Sequence, residues 1–385
     1  MKVLLAPDSF KGSLTAMEAA NAMKEGILEV DSNIKTIVLP VADGGEGTMQ
    51  SLIDATNGEL TRVLVEDPLG ENVQAAYGVL GDGETCVIEI AEASGLTRLN
   101  KEALNPIKAS SYGTGQLIQR ALNAGYRKFI IGLGGSATND GGAGLLQALG
   151  IRLLNDEGAD LKKGGGALAD VASIDMNGWD ARIADSEFII ACDVKNPFVG
   201  PNGASVIFGP QKGASAEEVV LLDSSLKRFA NVIEREVGIA LHEKEGAGAA
   251  GGAGGAFLAF FDGQMRQGIQ VVLEAVDFTH HVSDADLVLT GEGKTDLQTL
   301  SGKAPIGIAQ AAKKAGKHTI LISGTIDEDC RYSLTPYFTE IDSVVEESVS
   351  TEKAMDAAFV YLKEKTKEVM ARFVCKKNKE KKLFE

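Results

Sequence analysis

The chain of 385 residues carries 38 basic against 54 acidic side chains, a net charge of −16, and 45 glycines, about 12% where about 7% is usual. Apolar residues at 44% and charged ones at 24% exclude a disordered chain, and only 9 prolines with no G-X-Y period exclude collagen. The acidic surplus argues against nucleic acid or an anionic membrane surface as the main partner, and the length predicts roughly two domains.

Val3–Ala6 reads as a buried strand, and Thr15 with Glu18 forms a capping box that opens a helix ending near Gly26. Thr36–Pro40 is a second strand, followed by a glycine loop and a short helix that stops at Asn57-Gly58. This β-α-β-α alternation predicts a parallel sheet. Arg62–Glu66, Gln74–Val79 and Cys86–Ile90 are separated by Pro68-Leu69-Gly70 and Gly81-Asp82-Gly83, the pattern of an antiparallel meander. A helix with Leu117, Ile118, Ala121 and Leu122 on one face ends at Gly125, ahead of a strand over Lys128–Ile131. Ser215 and Glu218 cap a long helix whose apolar residues at 219, 222, 226, 229, 233 and 237 form one stripe. Asp286–Leu289, Ala304–Ala315 and His318–Ser323 repeat β-α-β, and a last helix spans about Lys353 to Phe373, with the basic tail Lys376–Lys382 as its frayed, solvated end. The map predicts one α/β domain from residues 1–62 and 282–385 around an inserted mixed α/β domain over 63–281, with 105–150 assignable to either.

Cys86, Cys192, Cys330 and Cys375 show no CxxC or CxxH spacing, so neither a disulfide framework nor a structural zinc is expected. The apolar start is too short for a signal peptide and closes on Asp8, and the Gly/Ala-rich stretch Gly246–Phe261 is too short to span a bilayer. A cytosolic protein, monomeric or homodimeric, is expected, with neither membrane nor nucleic acid as partner.

The glycines cluster with charge. Asp43–Thr48, Gly132–Gly142 and Gly291–Asp296 each follow a predicted strand and lead towards a helix, which is where open α/β sheets bind ligands. Glycine lets a ligand approach the backbone, and N–H groups ahead of a helix form an anion site. Gly209–Gly213 is a further charged cluster, whereas Gly246–Gly255 carries no charge and reads as a close-packed turn or hinge. Gly132-x-Gly134-x-x-Ala137 matches a dinucleotide fingerprint, but Asn139-Asp140-Gly141-Gly142 prolongs the loop where that motif needs helix. Gly293-Lys294-Thr295 ends like a Walker A motif, yet Val288 stands where its first glycine belongs. Lys11, Lys195, Lys212, Lys294 and Lys303 share these loops with Asp8, Asp43, Asp140, Asp193, Glu292 and Asp296. Lysines, carboxylates and glycine backbone together suit Mg²⁺–nucleotide phosphate chemistry. A nicotinamide-dependent hydroxy-acid oxidoreductase and a non-catalytic sugar-acid sensor remain as rival readings.

Six motifs in order resemble the glycerate kinase type-1 family over essentially the whole chain. They are Asp8–Ser13, Pro40–Thr48, Gly132–Gly144, Ala191–Pro197, Phe208–Ala214, and Thr290–Asp296 with Gly302-Lys303, where Lys294 replaces a common arginine. The resemblance implies two α/β domains, one flavodoxin-like with a parallel sheet built from both chain ends, the other mixed with an antiparallel meander, and an active site in the cleft. It implies ATP-dependent, Mg²⁺-assisted phosphorylation of D-glycerate, with 2-phosphoglycerate favoured over 3-phosphoglycerate. On that reading Asp193 is the candidate base, with Lys11 and Asp8 also catalytic. Asp43, Gly134, Gly135, Ser136, Thr138, Asn139, Lys195, Lys294 and Lys303 are the candidate substrate and phosphate contacts, the N–H groups of Gly134–Thr138 among them. Asp140, Glu292 and Asp296 are the candidate Mg²⁺ ligands.

Overall fold

In the computed structural model, which describes residues 1–346 and 350–384, two large sheets carry the fold. Their strands in chain order are β1 (Lys2–Leu5), β2 (Lys35–Val38), β3 (Glu59–Glu66), β4 (Asn72–Val79), β5 (Thr85–Glu89) and β6 (Lys128–Gly132). Then come β7 (Glu187–Ala191), β8 (Gln264–Arg266), β9 (Leu287–Thr290), β10 (His318–Ser323) and β11 (Glu340–Ser343). The chain divides into two compact units, one of Met1–Asp43, Gln50–Thr56 and Ile269–Glu385, the other of Gly44–Met49 and Asn57–Gly268.

The first unit holds an all-parallel sheet in the order β11-β10-β9-β1-β2. Counted along the chain this is the 2-1-3-4-5 order of the flavodoxin-like fold. Val3, Leu5, Leu287, Leu289, Ile320 and Ile322 pack with Met23, Ile27, Val369 and Met370, while Leu321 faces Ile306, Leu334 and Phe338. Both faces are covered, which is why these strands read as unbroken apolar runs. The capping box of Thr15 and Glu18 forms as expected, but its helix continues from Ala16 to Val30, past Gly26. Gly26 is a contact point, since a Cβ there would stand 2.3 Å from the Lys363 carbonyl of the C-terminal helix. The single last helix expected near Lys353–Phe373 is two, Thr351–Asp356 and Ala358–Phe384, broken at Ala357. The basic tail thus has helical backbone through Phe384; its side chains from Asn378 on lie outside the described residues.

The second unit holds a mixed sheet in the order β8-β7-β6-β5-β4-β3. The meander β3–β4–β5 is antiparallel, and β5 through β8 then pair in parallel. Phe129 and Phe188 stack at 4.7 Å in its core. The Ser215–Glu218 capping box opens the helix Ala216–Val237, which buries Leu222, Leu226, Phe229 and Ile233 of the predicted stripe.

Candidate active site

In the first unit, β1 leads to β2 on one side and β9 leads to β10 and β11 on the other, so the topology switches between β1 and β9. Ligands bind outside the carboxyl ends of strands at such a point. The loops leaving those strands are tied together there: Asp8 N–H donates to the Gly291 carbonyl (2.9 Å), and Gly324 N–H to that of Glu292 (2.9 Å). Gly291 is required by this closeness, because a Cβ would lie 1.9 Å from the Ile322 carbonyl oxygen.

A cavity of about 320 Å³ opens over these ends. Its lining combines the charged Asp8, Lys11, Asp43, Glu292, Lys294, Asp296 and Lys303 with the apolar Val344, Met355 and Leu362. Burial, then the charges of Asp43 and Glu292, push the Asp8 carboxyl up to about 7, against the opposing pull of the Ser9 N–H and Lys11. Burial also raises Glu292, although its Oε1 accepts the hydroxyls of Thr299 (2.7 Å) and Thr295 (2.9 Å). Lys303 Nζ stands 4.0 Å from Asp296, and Lys294 Nζ pairs with Asp327 at 3.1 Å.

The second unit places the glycine loop Gly132–Gly142 between β6 and the helix Ala143–Ala148. That helix starts six residues beyond Ala137, so the dinucleotide fingerprint lacks the helix it needs. Asp140 is fully buried and accepts from the Ser111 N–H and Oγ and the N–H groups of Gly142 and Gly144. It therefore anchors the loop to two helices, and its oxygens are committed to these donors rather than to a metal ion. Asn139 is also spent inward, donating to Ser205 Oγ at 2.8 Å. The Ala137 N–H, expected to face an anion, goes to the Ser94 carbonyl instead. Gly134, Gly135 and Ser136 form the turn at the loop's outer edge, where Gly135 is exposed. The run Gly246–Gly255 packs on this loop: Gly141 N–H donates to the Gly251 carbonyl, and a Cβ on Gly251 would meet the Thr138 carbonyl at 2.0 Å.

Asp193 and Lys195 are exposed on the stretch after β7, with Asp193 accepting from the Gly268 N–H at 3.1 Å. Two groups escaped the site assignments made from the sequence. Glu89 reads there as a strand residue, yet it is buried and accepts the Met49 N–H at 2.9 Å, along with those of Gly47 and Thr48; burial raises it to about 7. Lys212 reads there as one of five loop lysines, and only tertiary packing shows it to be wholly buried.

A cavity at the switch point of a parallel sheet marks a ligand-binding protein of the doubly wound α/β class. Within that class the chain belongs to the glycerate kinase family, whose profile matches residues 3–374. It is 48% identical over 371 residues to the glycerate kinase of Bacillus subtilis (strain 168), covering 96% of this chain and 97% of that one. It is 47% identical to the glycerate 2-kinase of Escherichia coli (strain K12), covering 86% of each chain. The crystal structure of a Salmonella typhimurium LT2 protein assigned as glycerate kinase 2 superposes with a TM-score of 0.90 at 43% identity, over 98% of this chain and 99% of that one.

Proposed function

We propose that the protein transfers the γ-phosphoryl group of ATP to the 2-hydroxyl of D-glycerate, giving 2-phosphoglycerate and ADP. The observation that carries this reading is the switch-point cavity, where a carboxyl held near 7 lies among lysines. The names of the similar proteins supply the substrate, and the Escherichia coli relative, a glycerate 2-kinase, favours the 2-hydroxyl.

Asp8, rather than the exposed Asp193, is assigned as general base, because a base works best with a pKa near the operating pH. Its carboxylate takes the hydroxyl proton while the substrate oxygen bonds to phosphorus and the bond from phosphorus to ADP breaks. Lys11, Lys303 and Lys294 offset charge on the phosphoryl oxygens, and Asp43 orients the substrate. The turn Gly134–Ser136 is the anion seat of the second unit, with Lys195 as a further contact. Mg²⁺ takes hard oxygen ligands and is held by one or two carboxylates together with phosphates. Glu292 and Asp296, two carboxylates lining the cavity, fit that demand. When bound, the ion would neutralise phosphate charge. No described helix is long and apolar enough to cross a membrane. The reading places the enzyme in the cytosol, where its free cysteines stay reduced.

A coupled assay of ADP release on adding D-glycerate tests the activity, and phosphorus NMR of the product tests the position. No ADP with glycerate or a related hydroxy acid would refute the kinase, and a 3-phosphoglycerate product would refute the regiochemistry.

A further inference from the structure

Lys212 sits at the end of the short 3₁₀ turn Pro210–Lys212, where Gly213 in the left-handed region turns the chain back. Its side chain is 1% exposed, and its Nζ donates to Ser136 Oγ (2.9 Å) and to the Thr138 carbonyl (2.6 Å). Among the described residues no carboxylate forms an ion pair with it. Asp140 lies close enough to favour the ammonium, but commits its oxygens to Ser111, Gly142 and Gly144. No other ionisable group acts on Lys212 appreciably.

A buried ammonium with only neutral acceptors costs stability, and a well-packed apolar side chain of similar volume would be the more stable choice. The charge is directed at two points of the glycine loop, the Thr138 carbonyl and the hydroxyl of Ser136, which closes the turn Gly134–Ser136. Because Ser136 Oγ accepts from Lys212, its own proton is left to donate elsewhere, and Ser136 stands at the loop's edge with 6% exposure. A chain from ammonium to hydroxyl to anion polarises each member in turn.

We propose that Lys212 is a positioning residue that charges the anion seat from below, acting through Ser136 on a phosphate or carboxylate oxygen held at Gly134–Ser136. The proposal rests on the reading of that turn as an anion seat. Burial lowers the Lys212 ammonium to about 7, so the empty seat is only partly charged at neutral pH and an arriving anion draws a proton to it.

The test uses the full chain with K212M, K212R and S136A. Sulfate, whose charge is fixed from pH 6 to 9, serves as probe through its effect on thermal stability. Stabilisation of the wild type should fade as pH rises through about 7 to 8, and K212M and S136A should show about tenfold weaker sulfate binding with little pH dependence. K212R, which keeps a charge, should retain more binding than K212M. In turnover, K212M should raise KM about tenfold for one substrate and leave the other nearly unchanged; the affected substrate, ATP or D-glycerate, identifies the anion. Should K212M fail to fold, S136A and the wild-type pH profile still decide. Equal sulfate binding in wild type and S136A, or a wild-type profile flat from pH 6 to 9, overturns the proposal. Sulfate behaviour as expected without glycerate turnover would refute the kinase reading alone.

Discussion

Asp8→Asn is the most informative substitution in the first unit, because two independent quantities follow from the same burial. Asparagine is neutral and close in shape, and its Oδ1 can still accept the Ser9 N–H, held at 2.6 Å in the wild type. The folded wild type holds the Asp8 proton up to about pH 7, whereas the unfolded chain releases it near the ordinary value of 3.8. Between those values the folded state binds more protons, so wild-type stability falls as pH rises towards 7 and levels off above it. At 1.36 kcal/mol per tenfold change, the interval amounts to about 4 kcal/mol. D8N lacks this loss and should gain up to about 4 kcal/mol on the wild type between pH 4 and pH 8, read by urea unfolding at several pH values. Turnover should move the other way. D8N should lose about 10²-fold or more in kcat and the rising limb of kcat/KM near pH 7, while D193N keeps that limb. Parallel stability curves would refute the burial argument, and loss of the limb in D193N instead of D8N would refute the choice of base.

Other expectations can be checked more briefly. Gly251→Ala puts a methyl 2.0 Å from the Thr138 carbonyl and should cost more than about 2 kcal/mol, seen as a lowered Tm together with reduced turnover. Asp140→Ala strands four buried donors and should destabilise by about 3 kcal/mol or more, while added Mg²⁺ should not restore the lost Tm. Ser215→Ala removes one side of a capping box and should cost about 1 kcal/mol with kcat and KM unchanged. Chelation of divalent ions should abolish turnover yet leave the Tm of the nucleotide-free protein in place, as measured by differential scanning calorimetry.

Much of the local structure was legible from short-range chemistry. Both capping boxes, the meander turns and the Gly125 helix stop depend on residues within a few positions of one another, and each appears at its expected place. The glycine loops were legible as strand-end loops for the same reason. Gly26 misled because a glycine that ends a helix and one that admits a neighbouring helix look alike in sequence; the difference is the Lys363 carbonyl, far along the chain.

The sequence by itself determined which loops carry charge and glycine, and its motifs pointed to the family. Only the tertiary structure decided what each charge is for. Asp8 and Glu292, nearly three hundred residues apart, share one cavity because β1 and β9 are neighbours in the sheet. Asp140 and Asp8 are both aspartates in glycine-rich text, yet one is saturated by four donors and the other is pushed towards neutral pH by its surroundings. Lys212 looks like any loop lysine until burial removes its water. Desolvation and hydrogen-bond saturation belong to the packed environment of a group, and neither can be computed from the residues beside it in the chain.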